Sequence, residues 1–268
     1  MSNIDAVNAL ITAINFDRFA EIEAHHAPDV NFQSFRGPNI RGSVALGDWH
    51  RLFLKDYADC NYTALEYIED GDVVAVRATI EAKGYDWRSF TQRVLEVFRL
   101  VGGEVVERRL YGMFRDIEFD KPVNAAMDDA LGYRGGSKAA SRRAIEEMLA
   151  ARTAGDGEKT ASAYHEKPVM VDGIYGLAVG TGAIESLVDA RPRPAFGVER
   201  PTLIVAGEHD VVVESGFDPT RARRAEWYRL VDGKIRVVES YWMFREIGVR
   251  PDENYANDRH QRQVVLPI

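Results

Sequence analysis

One segment of this chain occurs twice. Residues 95–117 read LEVFRLVGGEVVERRLYGMFRDI, and residues 225–247 read AEWYRLVDGKIRVVESYWMFREI. At this offset of 130 residues, ten of the 23 positions are identical, and they include the pair Tyr111 and Tyr241. So many identical positions predict a tandem repeat of one domain. The function of the chain should therefore follow from that domain.

The length of the chain agrees with two domains. Its 268 residues allow about 130 residues for each repeat, which is enough to enclose an apolar core. We place the first domain at residues 1–120, a linker at 121–140, the second domain at 141–250 and a C-terminal tail at 251–268.

The composition is that of an acidic globular protein. Hydrophobic residues make up 46% of the chain, and the formal net charge is −8 at pH 7. An acidic surface argues against a nucleic acid or an anionic membrane as partner. The single cysteine, Cys60, excludes an intrachain disulfide, and neither a signal peptide nor a membrane-spanning apolar run is evident. We therefore expect a cytoplasmic protein.

The predicted elements come in the same order in both copies. Apolar residues recur at helical spacing from Ile4 to Ile14, behind the capping pair Ser2 and Asp5, and a second such helix is predicted to begin at Ser141. A short helix, a first strand and a third helix follow in each copy. The periodicity then changes to two, which is typical of hairpin strands. Helices followed by a meandering antiparallel sheet indicate an α+β fold.

The strands around the repeated turns carry a family resemblance. Residues 73–77 read VVAVR, residues 96–100 read EVFRL, and residues 228–235 read YRLVDGKI around a glycine turn. These segments resemble the SnoaL-like branch of the nuclear transport factor two-like superfamily, and the likeness covers both copies. It implies two cone-shaped domains, each a curved antiparallel sheet packed on N-terminal helices in a cystatin-like fold. It also implies an apolar cavity in each cone, and chemistry without a cofactor or a metal.

Members of this superfamily differ in activity, because a fold alone does not determine chemistry. They include polyketide cyclases, ketosteroid isomerases, dehydratases, epoxide hydrolases, lyases acting on diaryl compounds, and binding proteins. The family's usual catalytic Asp positions fall near Met113 and Met243 on the closing strands, or near Phe32 and Val171 on the first strands. Since none of these is Asp, the resemblance implies that any chemistry here uses other residues.

The closing hairpin of the first copy predicts a facing pair. With a two-residue turn at 102–103, residues whose numbers sum to 205 lie opposite each other, so Glu96 faces Arg109. Tyr111 lies on the same face, and by analogy with the family this face looks into the cavity. We interpret the pair as catalytic, with a simple cross-strand ion pair as the alternative.

The closing hairpin of the second copy predicts two carboxylates together. The corresponding sum is 465, so Glu226 faces Glu239 beside Tyr241. Two close carboxylates in an apolar cavity cannot both ionise cheaply, so one would have a raised pKa and could move protons. A tyrosine hydroxyl could stabilise an enolate or a phenolate. The alternative is that Glu239 reaches solvent.

Two histidines recur at similar places. His26 and His165, at an offset of 139, come where the second helix leads into the first strand, and each is a candidate general base. The alternative is a histidine that interacts with the last carbonyls of a helix. His50 is predicted to lie at the surface.

The predicted ligand-binding side chains are mainly aromatic or apolar. They are Phe32, Trp49, Phe53, Phe98, Met113, Tyr228 and Met243. Such a lining favours a flat, hydrophobic molecule.

These residues lead to one main hypothesis of function and two alternatives. The main hypothesis is a cofactor-independent lyase or isomerase that uses acid–base chemistry on a small aromatic molecule of phenolic, diaryl or polyketide type. The alternatives are a non-catalytic small-molecule-binding or assembly module, and an epoxide or ester hydrolase. A hydrolase would need an Asp–Arg–Asp arrangement, which only Arg109 with Glu96 approaches. We expect the cones to pair through the outer faces of their sheets, as a homo-oligomer or an intrachain pseudo-dimer.

Overall fold

The computed structural model of the chain describes residues 2–35, 37, 39–56, 58–83, 89–113, 121–133, 135–191, 200–217 and 222–244. The predicted tail at 251–268 lies outside these ranges. No helix of the described residues is both long enough and apolar enough to cross a bilayer.

Helices and strands alternate in an order that occurs twice. The first set is α1 (Asn3–Asn15), α2 (Phe19–Ala24), β1 (His26–Ser34), β2 (Ile40–Arg41), α3 (Ser43–Asp56), β3 (Ala58–Asp70), β4 (Val73–Lys83), β5 (Ser89–Val101) and β6 (Glu104–Gly112). A helix that lies within the segment predicted as a linker comes next, α4 (Lys121–Gly132). The second set is α5 (Lys138–Ala154), α6 (Gly157–Ser162), β7 (Tyr164–Asp172), β8 (Gly176–Val179), α7 (Thr181–Ala190), β9 (Arg200–Ala206), β10 (Asp210–Gly216), β11 (Ala222–Val231) and β12 (Lys234–Trp242). We call the two sets the first and second halves, and the predicted α+β fold is confirmed.

The two long N-terminal helices begin differently. In α1 the Ser2 hydroxyl accepts the Asp5 amide and the Asp5 carboxylate accepts the Ser2 amide, which is the predicted capping box. In α5 the capping residue is Ser137, whose hydroxyl accepts an amide at 3.3 Å. The prediction that Ser141 caps this helix is wrong, because Ser141 is buried within the helix and donates to the Glu208 carbonyl at 2.5 Å.

All twelve strands belong to one sheet. Its main order is β3-β4-β5-β6-β12-β11-β10-β9, with β1 parallel beside β6 and β7 parallel beside β12. The two half-sheets are joined where Trp242 pairs with Gly112. Helices α1 and α3 contact one face of the first half-sheet, and α5 and α7 contact one face of the second. We call these the helix-covered faces; the opposite faces of the two halves are in contact with each other.

A bulge in the first closing hairpin reverses a predicted face. The turn at 102–103 has positive φ at both glycines, as a two-residue turn requires. The register then shifts by one residue at Arg99, and Glu96 lies opposite Leu110. The predicted facing of Glu96 and Arg109 is therefore wrong. Since successive side chains alternate, the shift places Arg109 and Tyr111 on the face opposite to that of Glu96.

The second closing hairpin has the same bulge. Its register shifts at Arg229, and Glu226 lies opposite Ser240. The predicted pair of Glu226 and Glu239 is wrong for the same reason, because the two carboxylates lie on opposite faces of the sheet.

Candidate functional site

Buried polar side chains form three groups. The first cluster lies on the helix-covered face of the first half and comprises His26, His50, Tyr62, Glu96 and Arg108. The second cluster lies on the helix-covered face of the second half and comprises Arg152, Tyr164, Asp172, Arg191, Arg224, Glu226, Tyr228 and Ser240. The interface layer lies between the half-sheets and comprises Glu66, Arg77, Arg109, Tyr111, Glu214, Arg229, Glu239 and Tyr241.

Glu96 is the centre of the first cluster. The Tyr62 hydroxyl donates to Glu96 Oε2 at 2.9 Å, and Arg108 Nε donates to Oε1. Arg108 Nη1 donates to His50 Nε2 at 3.0 Å. Burial and the nearby Glu96 raise the pKa of Tyr62 well above its usual range, so its proton stays in place as a donor. A continuous chain of hydrogen bonds thus joins β3, β5, β6 and α3.

Four of the predicted aromatic residues surround this chain. The Arg108 guanidinium lies 5.0 Å from the ring of Phe32 and 5.6 Å from that of Phe98. The Trp49 ring lies 5.0 Å from that of Phe32 and stacks on Phe53 at 5.2 Å. The structure therefore brings together the aromatic residues that were predicted for the first copy.

The two histidines of the first cluster are neutral. His26 Nδ1 lies 2.6 Å from the Ile22 carbonyl, so this nitrogen carries the proton and Nε2 is an acceptor. Burial and the charge of Arg108 lower the pKa of His26 to about 3. His50 accepts from Arg108 at Nε2, so its proton is on Nδ1, and burial lowers its pKa well below the usual range. His26 Nε2 and His50 Nδ1 have no hydrogen-bond partner among the described residues.

Arg191 is the centre of the second cluster. Its Nη2 donates to Asp172 Oδ2 at 2.9 Å and to Ser240 Oγ at 2.8 Å, and lies 2.9 Å from Glu226 Oε1. Glu226 also accepts from the Tyr228 hydroxyl at 2.9 Å and the Ser240 hydroxyl at 3.0 Å. Burial opposes ionisation of Glu226, but the surrounding arginines outweigh it and hold its pKa well below the usual range.

Both carboxylate oxygens of Asp172 already accept two or more hydrogen bonds. Its Oδ2 accepts twice from Arg191, and its Oδ1 accepts from Trp242 Nε1 at 3.1 Å and from the amides of Ile174 and Tyr175 at 2.9 and 3.0 Å. The carboxylate therefore acts as a rigid support for Arg191.

The interface layer contains the residues that were predicted to face a cavity in the first half. Arg109 donates to both oxygens of Glu214, at 2.8 and 2.7 Å, and the Tyr111 hydroxyl donates to the same carboxylate at 2.6 Å. Glu214 belongs to β10 of the second half. The predicted catalytic site of Glu96, Arg109 and Tyr111 is therefore wrong, because the hairpin bulge separates Glu96 from the other two.

The corresponding residues of the second half lie in the same layer. Glu239 is 3.5 Å from Arg77 Nη1, and the Tyr241 hydroxyl donates to Glu239 at 3.4 Å. Arg229 Nη2 lies 4.0 Å from Glu239 Oε2. Glu239 and Tyr241 are thus not beside Glu226, and the predicted two-carboxylate site is wrong.

Comparison with known proteins finds a family model that matches part of the first half. Residues 7–108 match the model of the SnoaL-like domain. None of the curated proteins compared with this chain is significantly similar to it in sequence.

Solved structures with this type of fold are similar to part of the chain. An NTF2-like protein of unknown function from Burkholderia pseudomallei K96243 is 22% identical, with a TM-score of 0.40, over 42% of this chain and 92% of its own. A protein with a ketosteroid isomerase-like fold from Catenulispora acidiphila DSM 44928, in complex with trimethylamine, is 17% identical, with a TM-score of 0.38, over 40% and 83%. An LEH-like epoxide hydrolase from M. tuberculosis is 20% identical, with a TM-score of 0.38, over 41% and 81%. Each likeness concerns the fold alone and less than half of this chain.

His26 has a different counterpart in the second half from the one predicted. His26 pairs with Val105, and Tyr164 pairs with Ile235, which is the repeat counterpart of Val105. Tyr164 therefore corresponds to His26, and the predicted equivalence of His26 and His165 is wrong by one residue. His165 is half-buried, outside the second cluster.

The two predicted methionines lie where the halves join. Met113 follows Gly112 and Met243 follows Trp242, the pair of residues that links the half-sheets. Met113 also packs against Gly173 of the second half. Both are buried, and their position makes them part of the junction.

The sequence analysis missed several polar residues of these sites. Arg108 and His50 of the first cluster were overlooked. Facing residues whose numbers sum to 206, instead of 205, would have placed Arg108 opposite Phe98. No local pattern indicated Arg191, because it follows the end of α7 and meets Asp172 only through the folded structure. His50 was predicted at the surface, but α3 turns it inward and only 3% of it is exposed.

Proposed function

We propose that the first cluster is the active site of a cofactor-independent lyase or isomerase that moves a proton on a small, uncharged aromatic molecule. The supporting observation is that two neutral, buried imidazoles present ring nitrogens that have no partner in the described part of the chain, next to Glu96, Tyr62 and Arg108. One of these nitrogens is an acceptor and the other a donor, so together they can orient a hydroxyl or a carbonyl group.

Each residue of the first cluster has a role in this proposal. Glu96 accepts the proton from carbon, since each of its oxygens takes only one hydrogen bond in the cluster and keeps a lone pair. Tyr62 and Arg108 stabilise the enolate or phenolate that results. His26 Nε2 accepts a hydrogen bond from the substrate, and His50 Nδ1 donates one. Glu96 then returns the proton to another carbon in an isomerisation, or to the leaving group in an elimination.

The surroundings favour an aromatic substrate without a net charge. Phe32 and Phe98 lie against Arg108, and Trp49 extends this wall. The charges of Glu96 and Arg108 cancel, and the histidines are neutral. A charged substrate would be desolvated there without a counterion.

The hydrolase alternative has less support. The second cluster does contain a carboxylate–arginine–carboxylate arrangement, in Asp172, Arg191 and Glu226. Both oxygens of each carboxylate already have at least two polar partners within the cluster, so neither is placed to hold and activate a water.

Proton transfer can be tested without knowing the natural substrate. A panel of phenolic ketones and diaryl compounds is incubated with the protein in D2O, and deuterium incorporation at carbon is followed by NMR. We expect exchange in some members, and Glu96→Gln should slow it by about 10²–10⁴-fold. The matched control is Glu239→Gln, which makes the same change at an equally buried carboxylate in the interface layer.

Three results would decide against the proposal. Equal losses of exchange in Glu96→Gln and Glu239→Gln, with equal losses of thermal stability, would assign the effect to folding. Saturable binding of panel members without exchange would support the binding-module alternative. Exchange that persists in Glu96→Gln would exclude Glu96 as the proton acceptor.

A further inference from the structure

We infer that the second half binds a small aromatic molecule through its carboxylate group, held between Arg152 and Arg191. This site is separate from the one proposed for the first half. It follows from the hydrogen bonds and charges of the second cluster.

Arg152 has no carboxylate of the described residues within 4.0 Å of its guanidinium. It lies in the last turn of α5, and its Nη2 donates to the Tyr164 hydroxyl at 2.7 Å. Burial opposes its charge, but the surrounding groups, including the more distant Glu226, outweigh burial and raise its pKa above the usual value. Arg152 is therefore a largely buried cation that can pair with the anion of a ligand.

Arg191 presents a second unused donor. Its Nε and Nη2 are held by Asp172, Ser240 and Glu226, whereas its buried Nη1 has no hydrogen-bond partner among the described residues. Because the two carboxylates fix the plane of the guanidinium, the direction of Nη1–H is set before any ligand arrives.

The three arginines of the second cluster differ in their carboxylate partners. Arg191 pairs with Asp172 and Glu226, and Arg224 Nε lies 3.4 Å from Glu226 Oε2. Arg152 has no carboxylate of the described residues within 4.0 Å, and its hydrogen bond goes to the Tyr164 hydroxyl. In the first cluster, by contrast, Arg108 is paired with Glu96. The second cluster therefore offers a guanidinium to a ligand anion, which the first cluster does not.

The donors and rings of this site favour a planar carboxylate on an aromatic body. A guanidinium matches a carboxylate in a planar, two-bond geometry. The ring of Trp242 lies 5.4 Å from the Arg191 guanidinium and 5.7 Å from that of Arg224, and the buried rings of Tyr164 and Tyr228 complete an aromatic surrounding. Aromatic rings beside arginines offer stacking surface to a flat ligand.

Benzoate and its neutral counterpart benzamide test this inference in the full chain by isothermal titration calorimetry. We expect saturable binding of one benzoate, at least ten times tighter than that of benzamide. Arg152→Met, which keeps an apolar stem and removes the charge, should remove this preference. Arg51→Met, which removes the charge of an exposed arginine in the first half, should leave it unchanged, which ties the preference to Arg152.

The stability of the same variant gives an independent readout. Arg152→Met and Tyr164→Phe both lose the hydrogen bond between these two side chains, but only Arg152→Met loses the charge. Arg152→Met should therefore melt no lower than Tyr164→Phe in the unliganded protein. A clearly lower melting temperature for Arg152→Met would show that its charge has a counterion within the fold and would overturn the inference. Equal affinities for benzoate and benzamide, or no binding of either, would also overturn it. Tighter binding of inorganic phosphate that is lost in Arg152→Met would replace the carboxylate with a tetrahedral anion.

Discussion

Arg109 and Glu214 form a two-bond ion pair between the two half-sheets, with nitrogen–oxygen distances of 2.8 and 2.7 Å. Both side chains are buried, and the Tyr111 hydroxyl completes the group. A second ion pair in the same layer joins Arg77 to Glu239 at 3.5 Å. In both pairs the arginine comes from the first half and the carboxylate from the second, whereas a third pair, Arg229 with Glu66, has the reverse arrangement.

The arginines and carboxylates of the first two pairs occupy equivalent strand positions in the two halves. Arg77 pairs with Leu95 and Glu214 pairs with Ala225, which is the repeat counterpart of Leu95, so Arg77 and Glu214 occupy equivalent positions. Arg109 and Glu239 are equivalent at the offset of 130. If two first halves met through this face, arginine would meet arginine. The charges therefore favour contact between a first and a second half, since buried like charges repel.

Charge reversal should show this coupling. Arg109→Glu places a second carboxylate beside Glu214 and should lower the free energy of unfolding by about 3–5 kcal/mol. Adding Glu214→Arg restores an opposite pair, so the double variant should recover much of the loss. Urea unfolding measures both. Arg99→Glu, at a side chain that is 46% exposed, is the control and should cost about 1 kcal/mol or less. Losses that simply add in the double variant would show that the pair is not coupled.

Tyr111→Phe should affect stability without affecting the first cluster. It removes a buried hydroxyl that donates to the Glu214 carboxylate, and a hydrogen bond to a charged group contributes about 1.5–3 kcal/mol. Deuterium exchange at the proposed active site should remain at the wild-type level, since Tyr111 lies on the opposite face of the sheet. The control is Tyr67→Phe, whose hydroxyl bonds to Asn8 at the surface. Loss of exchange with unchanged stability would mean that Tyr111 does reach a reacting molecule.

Local features of the fold could be predicted from the sequence. The capping box of Ser2 and Asp5 depends on residues three apart, and the turn at 102–103 depends on two adjacent glycines. The helix–strand order followed from periodicity, which each segment carries by itself. These features need no knowledge of distant contacts.

The faces of the closing strands could not be predicted in the same way. The bulge leaves one extra residue, Val106, between the turn and Arg109, and one residue is enough to move Arg109 to the other face. The partners of Arg109 and Arg191 lie 105 and 19 residues away. Neither sequence separation corresponds to a helical or strand period, so no local pattern predicts these contacts. They form only when the elements pack together.

Gly173 is required by the junction between the halves. A Cβ at this position would lie 2.8 Å from Met113 Cα, which is backbone and cannot move aside as a flexible side chain can. Gly173→Ala should therefore lower the free energy of unfolding by about 1–3 kcal/mol. The control is Gly182→Ala in α7, where the added methyl group meets no atom within 4 Å. That change should be neutral or stabilising by up to about 1 kcal/mol, since alanine favours a helix over glycine. Equal effects at the two glycines in urea unfolding would contradict the close approach of Met113.

The acid sensitivity of the protein should depend on His26. Burial and Arg108 lower its pKa from 6.5 to about 3 in the folded chain, so below pH 6.5 the unfolded chain binds a proton that the folded chain does not. Stability from this source is complete above pH 6.5 and is lost as the pH falls toward 3, by up to about 1.4 kcal/mol per pH unit. His26→Gln keeps a donor for the Ile22 carbonyl but does not titrate, so its unfolding free energy should fall less steeply between pH 7 and pH 5. His165→Gln, at a half-buried histidine outside both clusters, is the control for the change from histidine to glutamine itself. Urea unfolding at several pH values measures the slopes, and identical slopes for the wild type and His26→Gln would show that His26 is not the buried neutral histidine described above.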